Sequence, residues 1–345
     1  MLLDGPNSST LLHKFNDSVS SLKVTQTEEV ISVLFNVSLM VAVIASNGLI
    51  LGAFALNAHL RAIHNILIMG LSFADFLVGV ISLPCWIYLT HCQYNNQKMN
   101  FYGYQFYITA DIFIGASSIL HLTGMSIERC HAVMKPIIHK ILSRRIFYLG
   151  SAGAWLFAAI MASLQPLQYR SWENVYTLLS ATLFFYIPTV IISIAYICVF
   201  KRSKSRPGVP LMSHRASRAM LAREIRLTLT VGLITVLFVL AWLPLFSLTM
   251  VATFNLKLLP DPLTNQRLLG FVKWMHYTSS VINPFLYSYR NNDMRRTIKL
   301  IIHKHIMRKN ICLKEMLPRS RALRHKRISN CRPPSDSSKV KYKAK

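Results

Sequence analysis

Acidic residues are scarce in this sequence. Of its 345 residues, 13 are Asp or Glu, whereas 39 are Lys or Arg, and only 15% are charged at all. An average soluble domain is ~25% charged. With 52% hydrophobic residues, the chain therefore lacks the solvated surface of an ordinary soluble protein, and its composition indicates a membrane protein.

Cysteines are also few, and no group of His, Cys and Asp has the spacing of a metal site or a catalytic triad. The six cysteines are spread along the chain rather than clustered as in a small disulfide-linked domain. We therefore expect neither a disulfide scaffold nor an enzyme. His121, which stands alone in a long apolar run, is interpreted as a packing or pocket residue.

Seven apolar stretches are long enough to cross a membrane, which takes about 20 helical residues. They are named spans 1 to 7 and lie at 30–56, 65–90, 103–128, 147–166, 175–200, 227–252 and 267–289. Spans 3, 6 and 7 carry polar residues that would be costly against lipid, so these spans should face one another. The sequence thus predicts an all-α membrane protein, a seven-transmembrane helix bundle.

The basic residues set the orientation of the bundle. Most of the 39 follow span 7 or lie in the loops after spans 1, 3 and 5. Because cytoplasmic loops are enriched in Lys and Arg, the N-terminus is expected outside and the C-terminus in the cytoplasm. The same residues flank membrane spans, so we attribute the net charge of +26 to topology and anionic lipid, and we expect no nucleic-acid partner.

Four regions follow from this topology. They are an extracellular N-terminal tail (1–29), a seven-transmembrane domain (30–289), a short amphipathic helix 8 on the inner membrane surface (290–310) and a basic disordered cytoplasmic tail (311–345). The first residues lack the apolar core of a signal peptide, so span 1 is expected to be an uncleaved anchor.

Three residues outside the bundle are candidates for modification. Asn7 and Asn16 begin acceptor sequons in the outer tail and are expected to be glycosylated. Cys312 follows helix 8 and is a candidate for palmitoylation, although an ordinary reduced cysteine explains it equally well.

Span 3 carries a charge at each end of one helical face. Asp111 and Arg129 are separated by about five turns, or ~27 Å, which places Asp111 near the outer side and Arg129 at the cytoplasmic edge. In span 6, Glu224 lies at the depth of Arg129. The two could form a pair that holds the inner ends together, or both could face water and headgroups.

Span 7 and the outer half of span 6 add aromatic and basic groups near the depth of Asp111. Trp242 and Phe246 lie on one stripe of span 6, and Lys273 and Tyr277 lie in the outer half of span 7. Such a stripe is by itself typical of plain packing. The polar groups at the same depth favour a ligand site.

In order along the chain, the motifs "SNGLIL", "LSFADFL", "ERC", "FVLAWLP" and "NPFLY" occur one per span, with Trp155 in span 4 and Pro188 and Tyr196 in span 5. Together they resemble the rhodopsin-like (class A) G-protein-coupled receptors, and the biogenic-amine subgroup most. The resemblance covers the whole membrane region and implies a plasma-membrane receptor that couples to a heterotrimeric G protein, with arrestin as a further candidate partner.

The resemblance assigns roles to residues of the inner half. Arg129, Glu224, Tyr196, Tyr287 and Pro284 correspond to the family's switch residues. A polar cluster at the middle of the membrane corresponds to the place where the family often holds a sodium ion, and its oxygen-rich side chains suit a hard cation. Its members are Asn47, Asp75, Ser118, Ser279 and Asn283. No other cofactor is expected.

The resemblance also assigns the ligand site. Asp111 falls where amine receptors carry the aspartate that pairs with the ligand ammonium, and a carboxylate among aromatic faces suits a small organic cation. The implied ligand-binding residues are Asp111, Ile112, Gly115, Ser180, Trp242, Phe246, Lys273, Trp274 and Tyr277. For Ser180, a role in stabilising the helix is an equal alternative.

One departure from the subgroup leaves the class of ligand open. Lys273 lies one turn outward of Tyr277 and could pair with Asp111, which would disfavour plain amines or admit a zwitterion. A receptor for a peptide, lipid or other non-amine ligand therefore remains an alternative.

Tyr104 replaces the usual cysteine at the top of span 3, and the second outer loop, "LQYRSWEN", has none either, so this loop must be held by other contacts.

A transporter or channel is the alternative from another class, because intramembrane charges also line ion paths. It would predict a repeat symmetry, which the sequence does not have.

Overall fold

A computed structural model describes residues 26–306, except 62, 96, 98–99, 171, 205–213 and 291. All regular elements in these residues are helical. Each of the seven expected spans is found as a helix. The helices are Gln26–Leu56 (span 1), Ile63–Leu77 and Leu83–Tyr94 (span 2), Phe101–Met134 (span 3), Arg144–Ser163 (span 4), Glu173–Ala181 and Ile187–Lys204 (span 5), His214–Phe254 (span 6) and Pro262–Arg290 (span 7).

Short helices complete the fold. A π-helical turn joins the two halves of span 2 and of span 5, at Val78–Ser82 and Thr182–Tyr186. The connections contain the short helices Ala58–Leu60, Pro136–Ile141, Gln165–Arg170 and Leu256–Leu258. The helix Asn292–Ile306 follows span 7 and lies within the region expected for helix 8.

Six helices of the described chain are long and apolar enough to cross a membrane, those of spans 1 to 6. Span 7 is long enough but more polar, because Lys273, His276 and Asn283 lie along it. These three residues are each at most 9% exposed, so they face the interior of the bundle. Span 7 therefore carries its polar groups inward, as the sequence predicted.

Side chains cap the N-terminal ends of spans 3 and 7. Asn100 precedes span 3, and its side chain accepts a hydrogen bond from the backbone N–H of Tyr102 at 2.9 Å. Asp261 precedes span 7 in the same way and accepts from the backbone N–H of Thr264 at 3.0 Å. This bond holds the pKa of the exposed Asp261 carboxyl below its usual value. Such N-caps satisfy donors that the first turn leaves free.

Span 3 is the central helix of the core. Its residues Tyr107 and Ile114 pack in a buried cluster with spans 1, 2 and 7, and Ala116 and Ile119 pack in a second cluster with spans 2, 4, 5 and 6. Phe113 contacts both clusters. Asp111 therefore lies on a helix that is held from both sides.

The outer ends of spans 1, 2 and 7 are joined by ion pairs and hydrogen bonds. Arg267 of span 7 lies 2.6 Å from Glu28, and His91 of span 2 lies 2.8 Å from Glu29. Each pair lies at the surface and at least one of its partners is about half exposed, so each contributes at most ~1 kcal/mol. The residues up to Ile298 form one compact unit, and a second unit begins at Lys299.

Candidate functional site

Asp111 is paired with a lysine of its own chain. Lys273 Nζ lies 2.7 Å from Asp111 Oδ2, joining spans 3 and 7, and both residues are only 9% exposed. Removing one partner of a buried ion pair typically costs ~3–5 kcal/mol, because the other charge is left uncompensated. The pair that the sequence left open is thus formed in this structure.

Two tyrosines complete the surroundings of the pair. The Tyr277 hydroxyl donates to Asp111 Oδ1 at 3.3 Å, and it lies 2.9 Å from the Tyr107 hydroxyl. Lys273 Nζ lies 5.2 Å from the centre of the Tyr107 ring and 5.7 Å from that of Trp86. The carboxylate therefore has two donors, and the ammonium has aromatic faces that attract a cation.

Tyr107 is a residue of this site that the sequence motifs do not include, although its spacing indicates it. It lies four residues before Asp111, which is one helical turn outward on the same face. Trp86 is harder to find, because it belongs to span 2 and only the packing brings it beside span 3.

A cavity of about 610 Å³ lies between spans 2, 3, 5, 6 and 7. Its lining is mostly apolar. Seven of the nine residues expected to bind ligand line it, and these are Asp111, Ile112, Gly115, Ser180, Trp242, Phe246 and Lys273. The Ser180 hydroxyl donates to the Thr177 carbonyl at 3.0 Å, so the same side chain also stabilises its helix.

The other two expected residues lie elsewhere. Tyr277 is fully buried behind Asp111 and reaches the site through its hydrogen bond to that carboxylate. Trp274 packs on Phe35 of span 1, with ring centres 4.7 Å apart, and is not among the cavity residues. The reason is helical phase: Trp274 is rotated by about 100° from Lys273.

Trp242 closes the inner side of the cavity. Its ring stacks on Phe238 and lies close to Gly115, where a Cβ atom would be 2.4 Å from the indole. Only glycine therefore allows the indole to lie this close to span 3. The buried indole N–H of Trp242 has no partner among the described residues.

The second outer loop is held by a buried glutamine instead of a disulfide. Gln165 accepts hydrogen bonds from Gln105 and from Thr109, the latter at 2.9 Å, and is 1% exposed. It begins the short helix that follows span 4, so these bonds join the start of the loop to the top of span 3. The described cysteines are Cys85, Cys92, Cys130 and Cys198, and all four are free.

A polar cluster lies around Asp75. Ser280 donates to Asp75 Oδ1 at 2.8 Å, and Asn283 donates to Oδ2 at 2.9 Å. Asn47 donates to the Ser280 carbonyl, and its own side-chain oxygen has no partner in the described part of the chain. Oxygen ligands of this kind fit a hard monovalent cation.

Ser280 is the serine that contacts Asp75, whereas the sequence pointed to Ser279. The Ser279 hydroxyl donates to the His276 carbonyl at 2.6 Å. Ser280 follows Tyr277 by three residues on the same helical face, so the spacing could have identified it. Ser118 donates to the Ile114 carbonyl at 3.1 Å.

At the inner end of span 3, Arg129 binds its neighbour Glu128. Arg129 donates to both carboxylate oxygens of Glu128, and His139 Nε2 lies 3.0 Å from Glu128 Oε1. Both Glu128 and Arg129 are buried. The expected partner Glu224 is outside the side chains that the structure describes, so the pair of Arg129 with Glu224 stays a prediction.

Tyr196 and Pro284 are the other described switch candidates. The Tyr196 hydroxyl lies 3.4 Å from Thr235 Oγ1 of span 6 and accepts a long bond from Ser126 of span 3. Pro284 is buried within the continuous helix of span 7. The Tyr287 side chain is not described, and Asn7, Asn16 and Cys312 lie outside the described residues.

The comparison with known proteins gives the family. The family described as "7 transmembrane receptor (rhodopsin family)" matches residues 46–287, which is more than half of the chain. The chain belongs to the rhodopsin family of seven-transmembrane receptors. It is therefore a multi-pass receptor of the plasma membrane that couples to a G protein, and it is not an enzyme.

Three relatives of this receptor are informative. The human histamine H2 receptor is 27% identical over 305 residues, which is 81% of this chain and 82% of the relative. The octopamine receptor beta-2R of Chilo suppressalis is 26% identical over 321 residues, 76% of each chain. The probable G-protein coupled receptor No18 of Amphibalanus amphitrite is 23% identical and is covered over 90% of its length.

Proposed function

We propose that this receptor binds a small ligand that carries an amine, and that the ligand ammonium is recognised by Asp111. The observation that carries the proposal is a buried carboxylate in the wall of a 610 Å³ cavity, surrounded by aromatic side chains. Charge-assisted hydrogen bonds and cation–π contacts are the interactions that recognise an organic cation. Relatives named for histamine and octopamine, two small amines, support it.

Span 3 carries the proposed ligand site at its outer end and Arg129 at its inner end, so ligand binding could be linked to signalling through this helix. An amine bound at Asp111 would contact spans 5, 6 and 7 from within the cavity, and Trp242 lies between that cavity and the inner half of span 6. A ligand that fits better when the inner end of span 6 moves away from Arg129 would favour the state that admits the G protein. Arrestin is a second proposed partner of the same inner face.

A sodium ion is proposed as an allosteric ligand of the polar cluster at the middle of the membrane. Asp75 would supply the negative charge, and Ser118, Ser280 and Asn47 would supply neutral oxygens. The free side-chain oxygen of Asn47 supports this assignment. A bound cation would hold spans 1, 2, 3 and 7 together.

The test of the ligand proposal is Asp111→Asn in cells that report cAMP and calcium, with a panel of biogenic amines and amino acids. Losing a charge-assisted bond worth ~1.5–3 kcal/mol should lower potency about 10- to 150-fold. Asp261→Asn removes an exposed carboxylate outside the cavity and is the matched control. Surface expression of each variant is measured by antibody binding to an N-terminal tag.

A second candidate is a receptor for a ligand without an amine, and the 2.7 Å bond between Lys273 and Asp111 favours it. In that case the pair is a permanent structural contact and the carboxylate is not free for a ligand. An active compound whose potency is unchanged in Asp111→Asn would support this candidate and overturn the amine proposal.

A further inference from the structure

One wall of the cavity presents a full positive and a full negative charge side by side. Lys273 and Asp111 both line the cavity, and each is still about one tenth exposed, so a ligand can reach either group. The pair as a whole is neutral. A ligand that enters between the two groups must replace the contacts that each of them loses.

A plain amine replaces only half of the pair. Its ammonium can take the place of Lys273 Nζ on Asp111, but the lysine ammonium then remains in a buried site without its carboxylate. Leaving one member of a buried pair without compensation is unfavourable. The cavity would also carry one net positive charge, which disfavours the amine.

An amino acid replaces both halves. Its ammonium pairs with Asp111 and its carboxylate pairs with Lys273, so two ion pairs form where one was broken, and the cavity stays neutral. We infer that the ligand is a zwitterion, specifically an amino acid with a large apolar or aromatic side chain. This inference rests on the proposed role of Asp111 as the ammonium site.

The aromatic residues next to Lys273 support the exchange. The rings of Tyr107, Trp86 and Tyr277 lie 5.2, 5.7 and 5.7 Å from Lys273 Nζ, so the ammonium has contacts besides its bond to Asp111. They keep the ammonium at the cavity wall after its bond to the carboxylate is broken. Lys273 is therefore still in position to receive the ligand carboxylate.

The rest of the cavity defines the side chain of the ligand. Its volume of about 610 Å³ falls within the ~300–1,000 Å³ that is usual for drug-sized ligands. Ile108, Ile112, Leu245 and Phe246 provide an apolar lining beyond the charged pair. A small polar amino acid would leave this surface unfilled, whereas an aromatic one would bury it.

Matched pairs of an amino acid and its decarboxylated amine test the inference. The probes are tyrosine and tyramine, tryptophan and tryptamine, phenylalanine and phenethylamine, and histidine and histamine. Binding to the purified full-length receptor is measured as the rise in thermal midpoint at millimolar ligand, and signalling as cAMP and calcium in cells. In the wild type, at least one amino acid should bind about tenfold more tightly than its amine.

Substitution of Lys273 should reverse this order. Lys273→Met keeps the length of the side chain but removes the charge, so the amine should gain about tenfold or more and the amino acid should lose as much. Lys273→Arg keeps the charge and should keep the wild-type preference. If the Lys273→Met receptor does not reach the cell surface, the ligand preferences of Lys273→Arg and Lys273→Gln are compared instead.

The inference is overturned if no amino acid in the panel binds, if each amine binds at least as tightly as its amino acid, or if loss of the Lys273 charge leaves the order unchanged. An amine preference in the wild type that disappears in Asp111→Asn would overturn the zwitterion but support the proposed amine receptor. A ligand indifferent to Asp111→Asn would overturn both.

Discussion

His139 Nε2 lies 3.0 Å from Glu128 Oε1, so a residue of the second inner loop contacts the carboxylate that binds Arg129. The loop thereby helps to keep Arg129 folded back on its own helix. We expect this arrangement to change when the inner end of span 3 engages a G protein.

His139→Ala should raise signalling in the absence of ligand. The substitution removes a hydrogen bond to a buried charged group, worth ~1.5–3 kcal/mol, and so weakens the arrangement that retains Arg129. His139→Gln, which can still donate from its amide, is the matched control and should stay near the wild type. The measurement is basal G-protein activity per receptor at the surface; equal activity in all three receptors would contradict the assigned role.

The ion pair between Asp111 and Lys273 should show strong coupling in a double-mutant cycle. Asp111→Asn and Lys273→Met each leave a buried charge unpaired and should each lower the thermal midpoint of the purified receptor. The double variant removes both charges and should recover much of the loss. Additive losses would mean that the two side chains do not interact in solution.

Gln165→Leu should loosen the second outer loop. It leaves the partly buried Gln105 and Thr109 without their shared acceptor, at a cost of up to ~1–3 kcal/mol for each group that finds no new partner. Leu167→Ala, an exposed position two residues further on, is the control. The thermal midpoint and the surface level should fall only for Gln165→Leu, and a similar fall for both would contradict a specific role of Gln165.

Gly115→Ala should displace Trp242. The added methyl would lie 2.4 Å from the indole, so either the ring or span 3 must shift, at ~1–3 kcal/mol. Gly150→Ala is the control, because a Cβ there meets nothing within 4 Å and alanine favours the helix. Tryptophan fluorescence and the thermal midpoint should change in Gly115→Ala and not in Gly150→Ala. If Gly115→Ala matches the wild type in both measurements, the indole is not confined by span 3.

Sodium should stabilise the wild-type receptor more than the bulky cation N-methyl-D-glucamine at equal ionic strength. Binding to the folded state alone raises stability by mass action. Asp75→Asn and Ser280→Ala should reduce the difference, whereas Ser279→Ala, whose hydroxyl bonds to a carbonyl of its own helix, should keep it. A difference that persists in Asp75→Asn would exclude this cluster as the cation site.

The positions of residues along a single helix were predictable from the sequence. The depth of Asp111, Arg129, Trp242 and Lys273 follows from a rise of 1.5 Å per residue, and the family match confirms the fold that these positions suggested. Helical phase was less certain, because a change of one residue rotates a side chain by 100°. Choosing Ser279 instead of Ser280 is an error of this kind.

Contacts across loops could not be predicted. His139 reaches Glu128 from the inner loop after span 3, and Gln165 reaches Gln105 from beyond span 4. Such contacts depend on how the helices pack, and no spacing within one segment encodes them. The sequence showed only that the usual cysteine pair was missing, and packing supplied the hydrogen bonds that take its place.

The contact of Gln165 with Gln105 and Thr109 also means that the start of the second outer loop is held without a redox-sensitive bond. Because hydrogen bonds join the outer loop to span 3, and the described cysteines are free thiols, a reductant has no bond to break at the mouth of the cavity. The receptor should fold in a reducing cell-free system supplied with lipid. Assays of its ligands can therefore contain dithiothreitol, which would inactivate a receptor whose loop is held by a disulfide.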